Sequence, residues 1–228
     1  MSLVWTSLTI LGLILLVVLL AVMLRSGAWR RYPFLLLYLF AALTAESLDL
    51  LLYARIGSVH SLIYINTYYT GDMVLHGLIL TMVLFLIREA LVGTRSPNLS
   101  AFAILACGIA FVAATLYMLY TGAGSFFPLS RNLSFVEEVL NFILWAVLIR
   151  NRSRDVVLLL VSAGLGIQVT GEVIGRTLRM YVASPSVAWL PDALVMICQL
   201  FALYVWYRGF AAYRRQHAAA SPQTSLAG

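Results

Sequence analysis

The sequence predicts an all-α integral membrane protein: a seven-transmembrane helix bundle with its N-terminus outside. Three observations carry that expectation. The 228 residues are 62 % hydrophobic and only 11 % charged, a balance suited to lipid rather than to a solvated surface. Apolar runs of about 20 residues recur, the length needed to cross a hydrocarbon layer of about 30 Å at about 1.5 Å rise per residue. All fifteen basic residues are arginines, gathered on alternate connections.

The spans run over 3–24, 33–54, 70–91, 99–120, 133–150, 156–178 and 188–211. The first is apolar throughout. It has no basic segment before it and arginines after it, so it reads as a retained span and not as a cleaved signal. Ser26-Gly27 and Pro33 mark the turn into the second, which carries Glu46 and Asp49 in its later half. The third opens near Asp72 and His76 and closes at Arg88. Ser96-Pro97 precedes the fourth, and the stretch from Gly122 to Pro128 separates it from the fifth, where Glu137, Glu138 and Asn141 sit. The sixth contains Thr170-Gly171-Glu172-Val173-Ile174-Gly175-Arg176, and the seventh starts after Ser184-Pro185 with Pro191-Asp192.

Residues 1–216 thus form one transmembrane domain, with 217–228, rich in Ala, Ser, Pro and Gln, expected as a disordered cytoplasmic tail. Cys107 and Cys198 both fall inside spans and read as packed thiols.

Orientation follows from the positive-inside bias. With the N-terminus outside, the inner flanks collect Arg25, Arg30, Arg31, Arg88, Arg95, Arg150, Arg152, Arg154, Arg208, Arg214 and Arg215, eleven in all. Only Arg55, Arg131, Arg176 and Arg179 lie toward the outside. The net charge of +6 therefore describes flanks near anionic lipid in a plasma (cytoplasmic) membrane and gives no case for nucleic acid.

A repeat is visible in the spacing. Thr44-Ala45-Glu46 answers Thr170-Gly171-Glu172, and Asp72 and Asp192 each stand sixteen residues before an arginine, Arg88 and Arg208. This suggests a 3+1+3 parallel repeat, two triplets joined by a linking helix. The helix order resembles that of sugar facilitators of the SWEET type, a likeness of topology alone.

Depth sorts the polar residues. Glu46, Asp49, Asp72, His76, Glu137, Glu138, Asn141, Glu172, Arg176 and Asp192 all fall in the outer half, and the inner half of every span is almost purely apolar. A charge at mid-bilayer costs roughly 2.5–3.5 kcal/mol on insertion scales, so charges at one level on several helices imply a shared polar interior. Simpler readings exist for some of them: Glu172 and Arg176 form an i, i+4 pair, Asp72 and Asp192 stand at helix starts, and Gly171-x-x-x-Gly175 permits close helix packing.

The expected ligand- or proton-binding residues are Glu46, Asp72, His76, Glu138, Asn141, Glu172 and Arg176. Carboxylates brought close together hold protons or cations, because they cannot all stay charged unaided. The leading expectation is an outward-facing acidic cavity that binds, and transports with proton coupling, a small polar or cationic solute. A ligand-sensing module or membrane subunit acting through a separate partner at the cytoplasmic face is the alternative, and an intramembrane metal-dependent hydrolase a second. No catalytic residue, cofactor or metal is expected. A retinal Schiff base needs a lysine and the chain has none, while a lone intramembrane histidine falls short of bis-histidine haem or a histidine-rich zinc site.

Overall fold

The computed structural model describes residues 3–56, 61–91, 126–151, 155–182, 187 and 189–220. Among these it is all-helical: α1 (Leu3–Ser26), α2 (Pro33–Ile56), α3 (Leu62–Leu91), α4 (Phe126–Arg150), α5 (Val156–Tyr181) and α6 (Leu190–Ala220), with a 3-10 turn at Ala28–Arg30. Five of the six, all but α4, are long and apolar enough to cross a membrane, which makes this a multi-pass membrane protein. The expected fourth span, 99–120, lies outside the described residues, as does Cys107. α6 runs to Ala220, four residues into the expected tail, and residues 221–228 lie outside the described residues.

Two helices begin earlier than hydropathy suggests. α3 starts at Leu62, and its 30 residues span about 45 Å, more than the hydrocarbon alone requires. The added turns carry Tyr64, Tyr68 and Tyr69; the first two rings stack and Tyr69 meets Tyr68 edge-on. α4 starts at Phe126, with Pro128 in the first turn, where a missing N–H costs nothing. Its polar residues lower its hydropathy, but they point inward. Ser130, Ser134, Glu137 and Asn141 are buried, whereas Phe135, Val139 and Phe142 are exposed. That is the reverse of a water-soluble amphipathic helix and suits one with lipid outside and polar groups within.

The helices close into a ring: each packs on the next, α6 returns to α1, and α3 also touches α5 across it. Glycines set the α5–α6 contact. A Cβ at Gly171 would collide with Cys198, one at Gly175 with Val195, and one at Gly164 with the Trp206 indole, so the backbones approach as small-residue seams allow. The Trp206 indole N–H donates to the Val161 carbonyl at 2.9 Å.

The interior divides along its length. At the end bearing the α1–α2 and α4–α5 connections, Leu19, Met23, Leu35, Leu39, Val83, Leu86, Leu144, Leu148, Val161 and Phe210 form an apolar core. Gly27, with φ of 72°, makes the α1–α2 turn, a backbone region that favours glycine. Beside it Arg31 reaches Asp155 at 2.6 Å and Glu89 at 3.7 Å, tying the turn to α3 and to the start of α5. Asp155 also caps α5, accepting from the Val157 and Leu158 amides. Although partial burial opposes it, the charges of Tyr32, Asp155 and Glu89 hold the Arg31 guanidinium above its ordinary value.

Candidate functional site

At the other end of the ring lies a cavity of about 670 Å3, walled by α2, α3, α5 and α6. Its volume is that of a small-molecule site. Helical periodicity supplies the wall: Tyr38, Ala42, Ala45 and Asp49 succeed one another on α2 at steps of three or four, and Gln168, Glu172 and Arg176 at steps of four on α5. Tyr38 closes the bottom, its ring edge-on to Trp206 at 6.0 Å and its hydroxyl accepting from Gln168. Thr44, Leu48, Asn66, Tyr68 and Thr70 are exposed around the mouth.

One hydrogen-bonded network runs through the wall. Arg176 donates to both oxygens of Asp72, at 2.7 and 3.2 Å, a two-point contact of the strong, charge-assisted kind. It also approaches Glu172 Oε2 at 3.6 Å. Asp72 Oδ2 accepts from the Ser130 hydroxyl at 2.5 Å, and Ser130 Oγ stands 3.0 Å from His76 Nε2. The opposite ring nitrogen, Nδ1, lies 2.8 Å from Glu137 Oε1. Glu172 Oε1 accepts from Gln168 at 3.4 Å.

Glu46 stands apart from this network. It accepts from Gln199 of α6, and its Oε2 lies beside Gly12 of α1, 3.7 Å from where a Cβ would stand. Asp49, one turn on, also faces the cavity. Neither carboxylate has a basic partner among the described residues.

Five of the seven residues expected from the sequence line this cavity: Glu46, Asp72, His76, Glu172 and Arg176. Glu138 and Asn141 are elsewhere. Glu138 is buried toward α5 and accepts from Thr170 at 2.8 Å, and Asn141 is buried against Gly166. Successive helical residues point about 100° apart, and the seating of α4 on α3 turns Glu137, not Glu138, to His76. Asp192 pairs with Arg179 at the exposed α5–α6 end instead of facing Asp72 as the repeat would place it.

Ser130 escaped notice because it precedes the apolar run. Its signal was the spacing Ser130, Ser134, Glu137 and Asn141, positions i, i+4, i+7 and i+11 on one helical face. Gln199 shares a helical stripe with Asp192 and Met196, positions i+7, i and i+4, whereas Tyr38 carried no signal, since a lone phenol in an apolar span is ordinary.

Comparison with protein-family models, with curated proteins and with solved structures finds no match to this chain.

Proposed function

We propose that the chain is a seven-span membrane protein, N-terminus outside, whose outward-facing cavity binds a small cationic or polar solute and exchanges it against protons. One observation carries this reading. Among the described residues lining the cavity the single guanidinium, Arg176, is already committed to Asp72 and Glu172, which leaves Glu46 and Asp49 without a cation among those residues. An unpaired carboxylate walled by apolar groups is neutralised by a proton or by a bound cation. The two compete for it, and that competition is the simplest form of coupling.

The rest of the lining is consistent with an amine that has an apolar body. Ala41, Ala42, Val74, Ile79 and Val195 offer hydrocarbon contact, and the Tyr68 ring offers a face for a cation.

The sensing alternative is favoured by the far end of the ring. Below Tyr38 and Trp206 the interior is apolar, and Arg31 ties its closing turn to Asp155 and Glu89. A pocket with one open end suits a receptor acting through a partner as well as a carrier caught in one state.

Binding of radiolabelled choline, used as a probe amine, to the purified protein in detergent tests the reading. Micromolar to millimolar binding that weakens at least about ten-fold with Glu46→Gln, a step of about 1.4 kcal/mol, is the expected result. No saturable binding, or binding indifferent to Glu46→Gln, overturns it. In proteoliposomes, uptake driven by a pH gradient marks a carrier, and binding without flux marks a sensor.

A further inference from the structure

Glu137 and His76 are the most deeply buried ionisable pair among the described residues, at 0 % and 1 % exposure. Their contact is either an imidazolium–carboxylate pair or one bridged by another cation, and a proton count sets out the choice. Ser130 has one hydroxyl proton, which goes to Asp72. Ser130 Oγ can then only accept from His76 Nε2 at 3.0 Å, so Nε2 carries the ring's N–H. In the neutral ring Nδ1 is a bare lone pair, and it faces the Glu137 carboxylate at 2.8 Å. Two lone pairs at that distance require a positive species between them.

The formal charges ask for two units. Arg176 sets one positive charge against the three carboxylates Asp72, Glu172 and Glu137, so around a neutral imidazole the cluster stays two units negative. Glu137 also keeps a second oxygen, Oε2, that is buried and has no hydrogen-bond partner among the described residues. Such a group is costly unless something satisfies it.

We infer that His76 Nδ1, Glu137 and Glu172 form a three-ligand site for a divalent cation of the zinc class, with its fourth position facing the cavity. One ligand atom from each of the three residues already lies within 4.8 Å of the others. Tetrahedral bonds of about 2.0–2.2 Å set ligand atoms about 3.4 Å apart, so the wider pairs close by no more than about 1.4 Å while His76 Nδ1 and Glu137 Oε1, 2.8 Å apart, open by about 0.6 Å. One imidazole with two carboxylates suits zinc and its neighbours better than magnesium or calcium, which favour all-oxygen cages. The Asp72–Ser130–His76 relay is the outer shell such a site needs: a metal-bound imidazole passes its other N–H to a carboxylate or hydroxyl, which fixes tautomer and ring plane. A divalent ion here brings the charge of the two glutamates to zero. The competing occupant is a proton on the ring together with a second on a carboxylate, and the experiment separates them.

This site does not depend on the solute reading, because the solute is held at Glu46 and Asp49. The full chain is stripped with a chelator in detergent and titrated with Zn2+, and with Co2+ as a coloured substitute. One zinc per chain surviving gel filtration, together with the visible bands of tetrahedral cobalt, is the expected result. Glu137→Gln, which keeps the side-chain shape, weakens zinc at least about ten-fold; Ser130→Ala, which removes only the relay, weakens it by about 10–100-fold. Glu46→Gln leaves zinc affinity unchanged. Substoichiometric zinc in the unmodified chain overturns the site whatever the variants do, as does zinc that binds Glu137→Gln as tightly as the parent, for then the pair holds protons alone.

Discussion

Arg176 of α5 holds Asp72 of α3 through both guanidinium nitrogens, at 2.7 and 3.2 Å, across the centre of the ring. The tie joins residues 104 apart in sequence. Both side chains are largely shielded, at 16 % and 13 % exposure. Removing one partner leaves the other charge in a poorly solvated wall, which costs about 3–5 kcal/mol in a buried pair. Asp72→Asn and Arg176→Gln are each expected to lower thermal stability in detergent by about that much. The double variant loses less than the sum, and a double-mutant cycle on melting temperatures measures the difference.

Tyr32 packs its ring in the closed end, 6.2 Å from Phe210, while its buried hydroxyl has no hydrogen-bond partner among the described residues. Tyr32→Phe removes an unsatisfied polar atom and keeps the ring, so it is expected to stabilise by about 1 kcal/mol. Burial first, and then the Asp155 carboxylate against the opposing Arg31 charge, pushes the Tyr32 hydroxyl well above its ordinary value. A group whose proton is held more tightly when folded contributes stability that is whole below its unfolded value, about pH 10, and is lost as pH rises beyond it. The parent is therefore expected to weaken above about pH 10 more steeply than Tyr32→Phe, as parallel melts across that range will read.

The α5–α6 seam separates two glycine substitutions. Gly171→Val drives a methyl group into Cys198, where a Cβ already has no room, and overpacking of this kind costs about 1–3 kcal/mol. At Gly12 a Cβ would meet Glu46 Oε2 at 3.7 Å, an ordinary contact. Gly12→Ala should leave stability equal or raise it by about 0.5 kcal/mol, as alanine does in a helix interior. Equal losses from both, measured by thermal denaturation, would contradict the packing described for α5 and α6.

Glu138 and Glu46 were equivalent candidates in the sequence and are not equivalent in the fold. Glu138→Gln is expected to leave choline binding unchanged, because Glu138 is directed to Thr170 and does not line the cavity. Thr170→Val removes the hydroxyl that donates to Glu138 and is expected to destabilise by about 1–3 kcal/mol. A loss of solute affinity in Glu138→Gln with the melting temperature preserved would reverse the assignment.

What the sequence determined by itself was the solvent and the level of each polar group. Apolar runs of span length set the helices in lipid, and counting along them was enough to bring Glu46, Asp72, His76, Glu172 and Arg176 to one end, because depth in a helix is simply position times rise. Rotation about each helix axis is another matter. Glu137 and Glu138 differ by one residue and share a depth, and only the docking of α4 on α3 turned the first to His76 and left the second to Thr170. In the same way Asp192 met Arg179 at the α5–α6 end and not Asp72, and Ser130 became the link between Asp72 and His76. Partner choice depends on side-chain direction and helix phase, which packing fixes to within a few tens of degrees and which a pattern of charges in an otherwise uniform apolar span does not record.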